Sequence, residues 1–111
     1  MKSQIRDAGE VRIISLTGKI TIGSGDIQLR DLINASLEQG HNKLVLDLGG
    51  VSAMDSSGIG EMVASYTSAK KRGADLKLAK LSPKITDILQ MTQLITVFET
   101  FESLDEALES F

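Results

Sequence analysis

The sequence lacks the residues on which several classes of protein depend. None of its 111 residues is a cysteine, which excludes disulfide frameworks and thiolate metal sites. Its one histidine, His41, has no second histidine with which to form a metal site. The formal net charge of −3 is unfavourable for nucleic-acid binding, which needs a basic surface. We therefore expect neither a metal nor a nucleic-acid partner.

Long apolar stretches are also missing. The first ten residues have none of the apolar character of a signal peptide, and nowhere do about 18 apolar residues follow one another. The sequence therefore predicts a cytoplasmic protein with no membrane segment. Its length suits one domain, covering residues 1–111.

Short apolar segments that alternate between strand and helix periodicity predict the fold. The predicted strands cover residues 3–7, 11–17, 43–48, 75–79 and finally 97–100. The nearly continuous apolar run KLVLDL at 43–48 is typical of a central strand buried on both faces, and residues 18–25 and 49–55 are predicted to be loops. The predicted helices begin at the capping residues Asp26, Asp55–Ser57, Ser82 and Ser103. Strands that alternate with helices indicate a single α/β domain, with a mixed, mostly parallel sheet of four to five strands and about four helices.

The second predicted helix has one apolar stripe at helical spacing. The stripe consists of Ile59, Met62, Val63, Tyr66 and Ala69. Ser65 is expected to point away from it, toward solvent. We interpret this stripe as structural, because it is the face with which the helix would pack on the sheet.

Motifs of catalysis and of nucleotide binding are incomplete. A nucleophile elbow requires a glycine two residues before the serine, but Met54 and Asp55 occupy these positions before Ser56 and Ser57. The loop segment 23–25 (GSG) lacks the third glycine of a dinucleotide fingerprint, and no GxxxxGK[ST] motif occurs. We therefore expect a protein that is not an enzyme and needs no cofactor.

The stretch MDSSGIGEMV places three capping residues in a row at the start of the second helix. A helix start needs one capping oxygen, whereas Asp55, Ser56 and Ser57 offer three. Two interpretations are open. The three residues compete for the cap, or a spare hydroxyl at the positive end of the helix dipole accepts a phosphate. The preceding loop leaves the carboxyl end of a central strand, where α/β sheets place their functional surfaces.

The stretch KLVLDLGGVSAMDSSGIGEMV resembles the core motif of STAS domains, specifically those of bacterial anti-sigma factor antagonists. The similarity extends to the segment 16–20 and to the closing VFETFESLDEALESF. The resemblance implies that Ser56 is the phosphorylated residue, with Asp55, Ser57 and Gly58 forming the switch at the helix N-terminus. Ser57 is then expected mainly to serve the helix start. It also implies an anti-sigma factor that is a serine kinase as one partner, and a serine phosphatase as another.

The resemblance implies a partner-binding surface around this helix start. We expect it to include Met54, Gly60, Thr21, Gly23, Ser24 and Asp26. The small residues Gly58 and Gly60 are expected to allow close approach of a partner's backbone. The family often has an aspartate where Thr21 stands here. Met54 is either an exposed anchor for the partner or a core residue beneath the loop. Two other functions are also considered: a STAS scaffold or sensor subunit of a signalling or transporter-associated complex, and a small nucleotide-binding module.

Overall fold

Five strands form one sheet, in the order β1-β2-β3-β4-β5, in the computed structural model, which describes all 111 residues. The strands are β1 (Lys2–Ala8), β2 (Val11–Ile20), β3 (Lys43–Met54), β4 (Asp75–Ala79) and β5 (Thr100–Phe101). β1 runs antiparallel to β2, and every other neighbouring pair is parallel. The predicted mixed, mostly parallel sheet is therefore confirmed.

Four α-helices connect and cover the strands. They are α1 (Gly25–Glu38), α2 (Ser56–Lys71), α3 (Pro83–Met91) and α4 (Leu104–Glu109). Two of the predicted caps are present: the Ser82 hydroxyl accepts a hydrogen bond from the Ile85 N–H, and the Ser103 hydroxyl accepts one from the Glu106 N–H. These bonds satisfy backbone donors that have no partner within the helix.

The sheet carries a separate apolar cluster on each face, because successive side chains of a strand point to opposite sides. The larger cluster joins three helices, α1, α2 and α3, to alternate residues of β2, β3 and β4. The smaller cluster lies under α4 and is built from Val11, Val45, Ala79 and Ala107. The KLVLDL segment of β3 contributes to both clusters, as predicted for a central strand covered on both sides.

The central strands are longer than the sequence pattern predicts. β2 continues to Ile20 and β3 to Met54, through glycine and polar residues that were predicted to be loops. These extensions pair with each other, Gly18 with Val51 and Ile20 with Met54, across one register shift. The predicted last strand is also displaced: β5 begins at Thr100, and Phe98 before it is a core residue.

Ser65 does not point to solvent as predicted. It is buried with Gly58, Met62 and Ala69 on the face of α2 that meets the sheet, and its hydroxyl has no hydrogen-bond partner. Ile59, Val63 and Tyr66 flank this face and are partly buried. The buried face of α2 is therefore structural, as predicted, but it is centred on a line that includes the small residues Gly58, Ser65 and Ala69, which allow the helix to pack closely.

Candidate functional site

Two loops leave the sheet side by side at the carboxyl ends of β2 and β3. The last residues of these strands, Ile20 and Met54, are paired in the sheet. The chain then enters α1 through residues 21–24 and α2 through Asp55. Two helix N-termini therefore lie next to each other at this edge, the edge where functional surfaces occur in α/β sheets.

Asp55 is the capping residue of α2, and it also holds the neighbouring loop. One carboxylate oxygen, Oδ1, accepts a hydrogen bond of 2.9 Å from the Gly58 N–H, and the other, Oδ2, accepts one of 3.0 Å from the Ile22 N–H. The pKa of Asp55 is lowered from its ordinary value, first by the bond from Ile22 and then by the bond from Gly58. Asp55 is therefore an ionised link between the two loops.

Neither of the two serines that follow Asp55 caps the helix. Ser56 is exposed and Ser57 is half-buried, and neither hydroxyl makes a hydrogen bond within the chain. The prediction that Ser57 serves the helix start is wrong, because Asp55 already supplies the capping oxygen. Of the two hydroxyls, that of Ser56 is the more accessible to another protein.

Gly58 serves the packing of this chain, where a partner-facing role was expected. It is buried, and a β-carbon there would meet the Ile20 carbonyl oxygen and lie 2.9 Å from the Met54 Cγ. Gly60, two residues later, is exposed and has nothing within 4 Å of the position of a β-carbon. Of these two glycines, Gly60 is the one with space for a partner's backbone.

Met54 is not an exposed anchor. Its exposed fraction is 8%, and it belongs to the larger apolar cluster. The alternative interpretation, that it fills the core beneath the loop, is therefore the one that the structure supports. The reason is that β3 extends to Met54, whose side chain falls on the face covered by the helices.

The loop between β2 and α1 is held in a defined conformation. The Thr21 carbonyl accepts a hydrogen bond of 3.1 Å from the Asp26 N–H, and Gly23 has a φ of +93° in the turn between them. Ser24 occupies the N-cap position of α1 without a side-chain bond, so the prediction that Asp26 caps the helix is wrong. Asp26 lies in the first turn, and its Oδ1 accepts a hydrogen bond from the Ile27 N–H.

Sequence reasoning missed the most prominent apolar group of the site. Ile22 is 73% exposed in the middle of the loop, and Ile27 is 41% exposed on the first turn of α1. The backbone N–H of Ile22 is the group that donates a hydrogen bond to the Asp55 carboxylate. An isoleucine within a glycine-rich polar loop is the signal that could have indicated it, since no helix or strand stripe includes this position.

The geometry is unfavourable for the nucleotide-binding alternative. None of the three surface cavities is lined by the GSG segment or by the first turn of α2. Gly25 is buried, and a β-carbon there would lie 2.9 Å from the Ile20 Cα. Its lack of a side chain therefore serves the approach of α1 to β2, and not the approach of a phosphate.

Comparison with solved structures shows that this fold is shared. An anti-sigma factor antagonist from Mycobacterium paratuberculosis superposes with a TM-score of 0.87 at 24% identity, covering 98% of this chain and 92% of that one. The Bacillus cell fate determinant SpoIIAA in its phosphorylated form gives 0.75 at 22%, covering 98% of both chains. A sulfate transporter family protein from Wolinella succinogenes gives 0.80 at 22%, covering 91% and 84%. At these identities the likeness concerns the fold alone.

Sequence comparisons reach further than the fold. The anti-sigma-B factor antagonist of Bacillus subtilis (strain 168) is 33% identical over 86 residues, which are 78% of this chain and 77% of that protein. No helix of the structure has the length and apolar character that crossing a membrane requires. The family model for the STAS domain matches residues 2–107. This chain therefore belongs to the STAS domain family.

Proposed function

We propose that this chain is a cytoplasmic anti-sigma factor antagonist controlled by phosphorylation of Ser56. The unphosphorylated form binds an anti-sigma factor that is also a serine kinase, and this binding frees a sigma factor. The kinase transfers the terminal phosphoryl group of its ATP to the Ser56 hydroxyl and releases ADP, which ends the binding. A serine phosphatase restores the binding by hydrolysing the phosphoserine to serine and inorganic phosphate. The chain itself acts as a binding module and needs no cofactor. The relatives named anti-sigma factor antagonists support the general function, and the helix start supports the switch.

The proposed switch is supported mainly by the different roles of Asp55 and Ser56: Asp55 caps α2, whereas the Ser56 hydroxyl makes no hydrogen bond to the helix. Asp55 provides the cap, so Ser56 can be modified without removing a hydrogen bond that stabilises α2. Ser56 is the first residue of α2 and is exposed. A phosphate there lies at the positive end of the helix dipole, which favours negative charge by about 0.3–1 kcal/mol.

The phosphate changes the surface more than it changes the fold. It adds roughly −1.5 to −2 charges beside the ionised carboxylate of Asp55, and at an exposed position water and salt screen this repulsion. Docking removes the screening, because burying an incompletely paired charge costs several kcal/mol. A loss of about 3 kcal/mol already weakens binding more than a hundredfold. Phosphorylation therefore acts on affinity while the domain stays folded.

The exposed residues around Ser56 supply the surface that a partner covers. Ile22 and Ile27 offer apolar area on the neighbouring loop, and Gly60 leaves room beside the helix. Ile22 takes the role of apolar anchor that Met54 cannot fill from inside the core. Because Asp55 fixes the backbone of Ile22, the loop is ordered before binding, which reduces the entropic cost of association.

The test uses the cognate kinase with wild-type protein and three variants. We expect phosphate on Ser56 by mass spectrometry, and none on Ser56→Ala, which stays bound in calorimetric titrations. Ser56→Asp should bind weakly, although a single carboxylate is a poorer mimic than a phosphate. Ser57→Ala is the matched control and should be phosphorylated and released as the wild type is.

Two results would contradict the proposal. Phosphorylation at Ser57 that persists in Ser56→Ala would show that the acceptor is the other serine. Equal affinity of the phosphorylated and unphosphorylated forms would remove the switch and favour a STAS scaffold or sensor subunit. A thermal melt of the phosphorylated form distinguishes loss of binding from loss of folding, since we expect its melting temperature to hold or rise slightly.

A further inference from the structure

The outer edge of β1 is uncovered along its whole length. Every residue of β1 except Ala8 is exposed, and its register with β2 is unbroken from Lys2 to Ala8. The strand contains neither a bulge nor a proline, two features by which natural edge strands resist pairing. The opposite edge of the sheet is β5, which has two residues. Of the two outer strands of the sheet, β1 is therefore the one long enough to pair with another strand over several residues.

The hairpin that joins β1 to β2 determines which backbone groups face outward. Gly9 and Glu10 form a two-residue turn, with Gly9 at a φ of +62°. In such a hairpin the flanking residues, Ala8 and Val11, form a hydrogen-bonded pair. The alternation along the strand then turns the N–H and C=O groups of the even-numbered residues toward β2. The same groups of Ser3, Ile5 and Asp7 point outward.

We propose that β1 pairs with β1 of a second copy of this chain, antiparallel, about a two-fold axis at Ile5. The two sheets then form one continuous sheet of ten strands. Residues on the same face must meet, so only pairs of odd with odd and even with even positions are possible. Ser3, Ile5 and Asp7 of one copy face Asp7, Ile5 and Ser3 of the other. Their outward backbone groups form six hydrogen bonds.

Charge distinguishes this register from the two adjacent ones. A register centred on Gln4 sets Lys2 opposite Arg6 of the second copy, twice. A register centred on Arg6 sets that residue opposite itself. Like charges directly opposite each other destabilise a strand pair. In the register centred on Ile5, Arg6 faces Gln4 and Lys2 faces Ala8, so no like charges are opposed. The sequence KSQIRDA is therefore complementary to itself in one central register.

The side chains of β1 favour the same arrangement. Ile5 is 44% exposed and is the one large apolar side chain of the strand, and pairing places it against Ile5 of the second copy. The Ser3 hydroxyl lies opposite the carboxylate of Asp7, to which it can donate a hydrogen bond. Asp7 already accepts a bond from Arg12 of its own chain through Oδ1, which leaves Oδ2 for the second copy.

The proposed dimer leaves the candidate functional site open. Asp55 bonds to Ile22 and Gly58, and neither lies on β1. A dimer therefore presents two exposed Ser56 sites and can bind a partner that is itself dimeric at two points. This inference does not depend on the phosphorylation switch, and its test uses the purified chain alone.

Sedimentation equilibrium tests the association. We expect the wild type to show a monomer–dimer equilibrium with a dissociation constant between about 1 μM and about 1 mM, the range of weak specific complexes. Ile5→Glu places two carboxylates opposite each other at the axis and should raise the dissociation constant at least about tenfold. Val97→Glu is the matched control, since Val97 is 39% exposed and precedes β5, the strand at the opposite edge of the sheet, and it should dimerise as the wild type does. Circular dichroism melts check that both variants fold.

Disulfide trapping tests the register, which the absence of native cysteine makes simple. Ile5→Cys should cross-link to itself under mild oxidation, because hydrogen-bonded antiparallel pairs have Cα atoms about 5.5 Å apart, within disulfide range. Ser3→Cys and Asp7→Cys should cross-link when mixed and not when alone. A wild type that stays monomeric throughout the concentration range overturns the proposal. So does faster trapping of Gln4→Cys than of Ile5→Cys, or a β1 edge that binds a different protein and not a second copy.

Discussion

Exchange of the two glycines at the start of α2 for alanine should change stability in opposite directions. At Gly58 a β-carbon would meet the Ile20 carbonyl oxygen, and it would lie 2.9 Å from the Met54 Cγ and 3.0 Å from the Ile20 carbonyl carbon. Two of these atoms belong to the backbone of β2, so they cannot rotate away. The same β-carbon at Gly60 meets nothing within 4 Å. The two glycines lie in the same helix and differ in the free space available to an added methyl group.

The magnitudes follow from that difference. Alanine is favoured over glycine inside a helix by up to about 1 kcal/mol, partly because glycine gains more entropy on unfolding. Gly60→Ala should therefore stabilise the domain by about 0.5–1 kcal/mol. Overpacking of a well-filled site costs about 1–3 kcal/mol, which outweighs this gain at Gly58. Gly58→Ala should thus destabilise the domain by about 1–2 kcal/mol, a difference of about 1.5–3 kcal/mol between the two variants.

Urea denaturation of both variants beside the wild type measures this difference in the free energy of unfolding. In thermal melts the melting temperatures of the two variants should separate by about 6–12 °C. Displacement of α2 at Gly58 also lengthens the bond from its N–H to Asp55, so Gly58→Ala should weaken partner binding in addition. Equal stability of the two alanine variants would refute the reasoning. It would mean that α2 does not approach β2 as closely at Gly58 as the distances indicate.

Three further results are expected. Met62→Ala should lower the free energy of unfolding by about 2–5 kcal/mol, since Met62 is 1% exposed. An unchanged denaturation midpoint with weaker partner binding would mean that the Met62 face of α2 points to the partner and not to the core. Met54→Ala should also destabilise, by about 2–4 kcal/mol, and a fully stable variant with weak kinase binding would restore Met54 as an anchor. The pKa of Asp55 is lowered, so the stability that its ionised form contributes is present above the ordinary value of 3.8 and is lost as pH falls through the lowered pKa. Acid unfolding of Asp55→Asn beside the wild type should show a smaller loss across that window, and identical curves would contradict the assignment.

Several features of this protein were determined by the sequence alone, because they depend on local chemistry. The KLVLDL run predicts a strand covered on both sides wherever it occurs in a sheet. Ser82 before Pro83 and the S-x-x-E pattern at Ser103 predict helix starts from neighbours within three residues. The order of strands and helices then limits the possible topologies to a few. The DSSG stretch was predicted to begin a helix, and α2 does begin there, with Asp55 as its capping residue.

Other features depended on residues that are distant in the sequence, and only the tertiary structure decided them. Three oxygens competed for the cap of α2, and the N–H of Ile22, more than thirty positions away, gives Asp55 a second bond that the serines do not have. Residues 18–20 and 49–54 look like loops individually and become strands because each segment pairs with the other. That pairing carries Met54 into the core and leaves Ile22 exposed. A local sequence pattern describes one segment at a time. In these cases the stabilising contacts form between two segments that only the fold brings together, so neither segment alone predicts them.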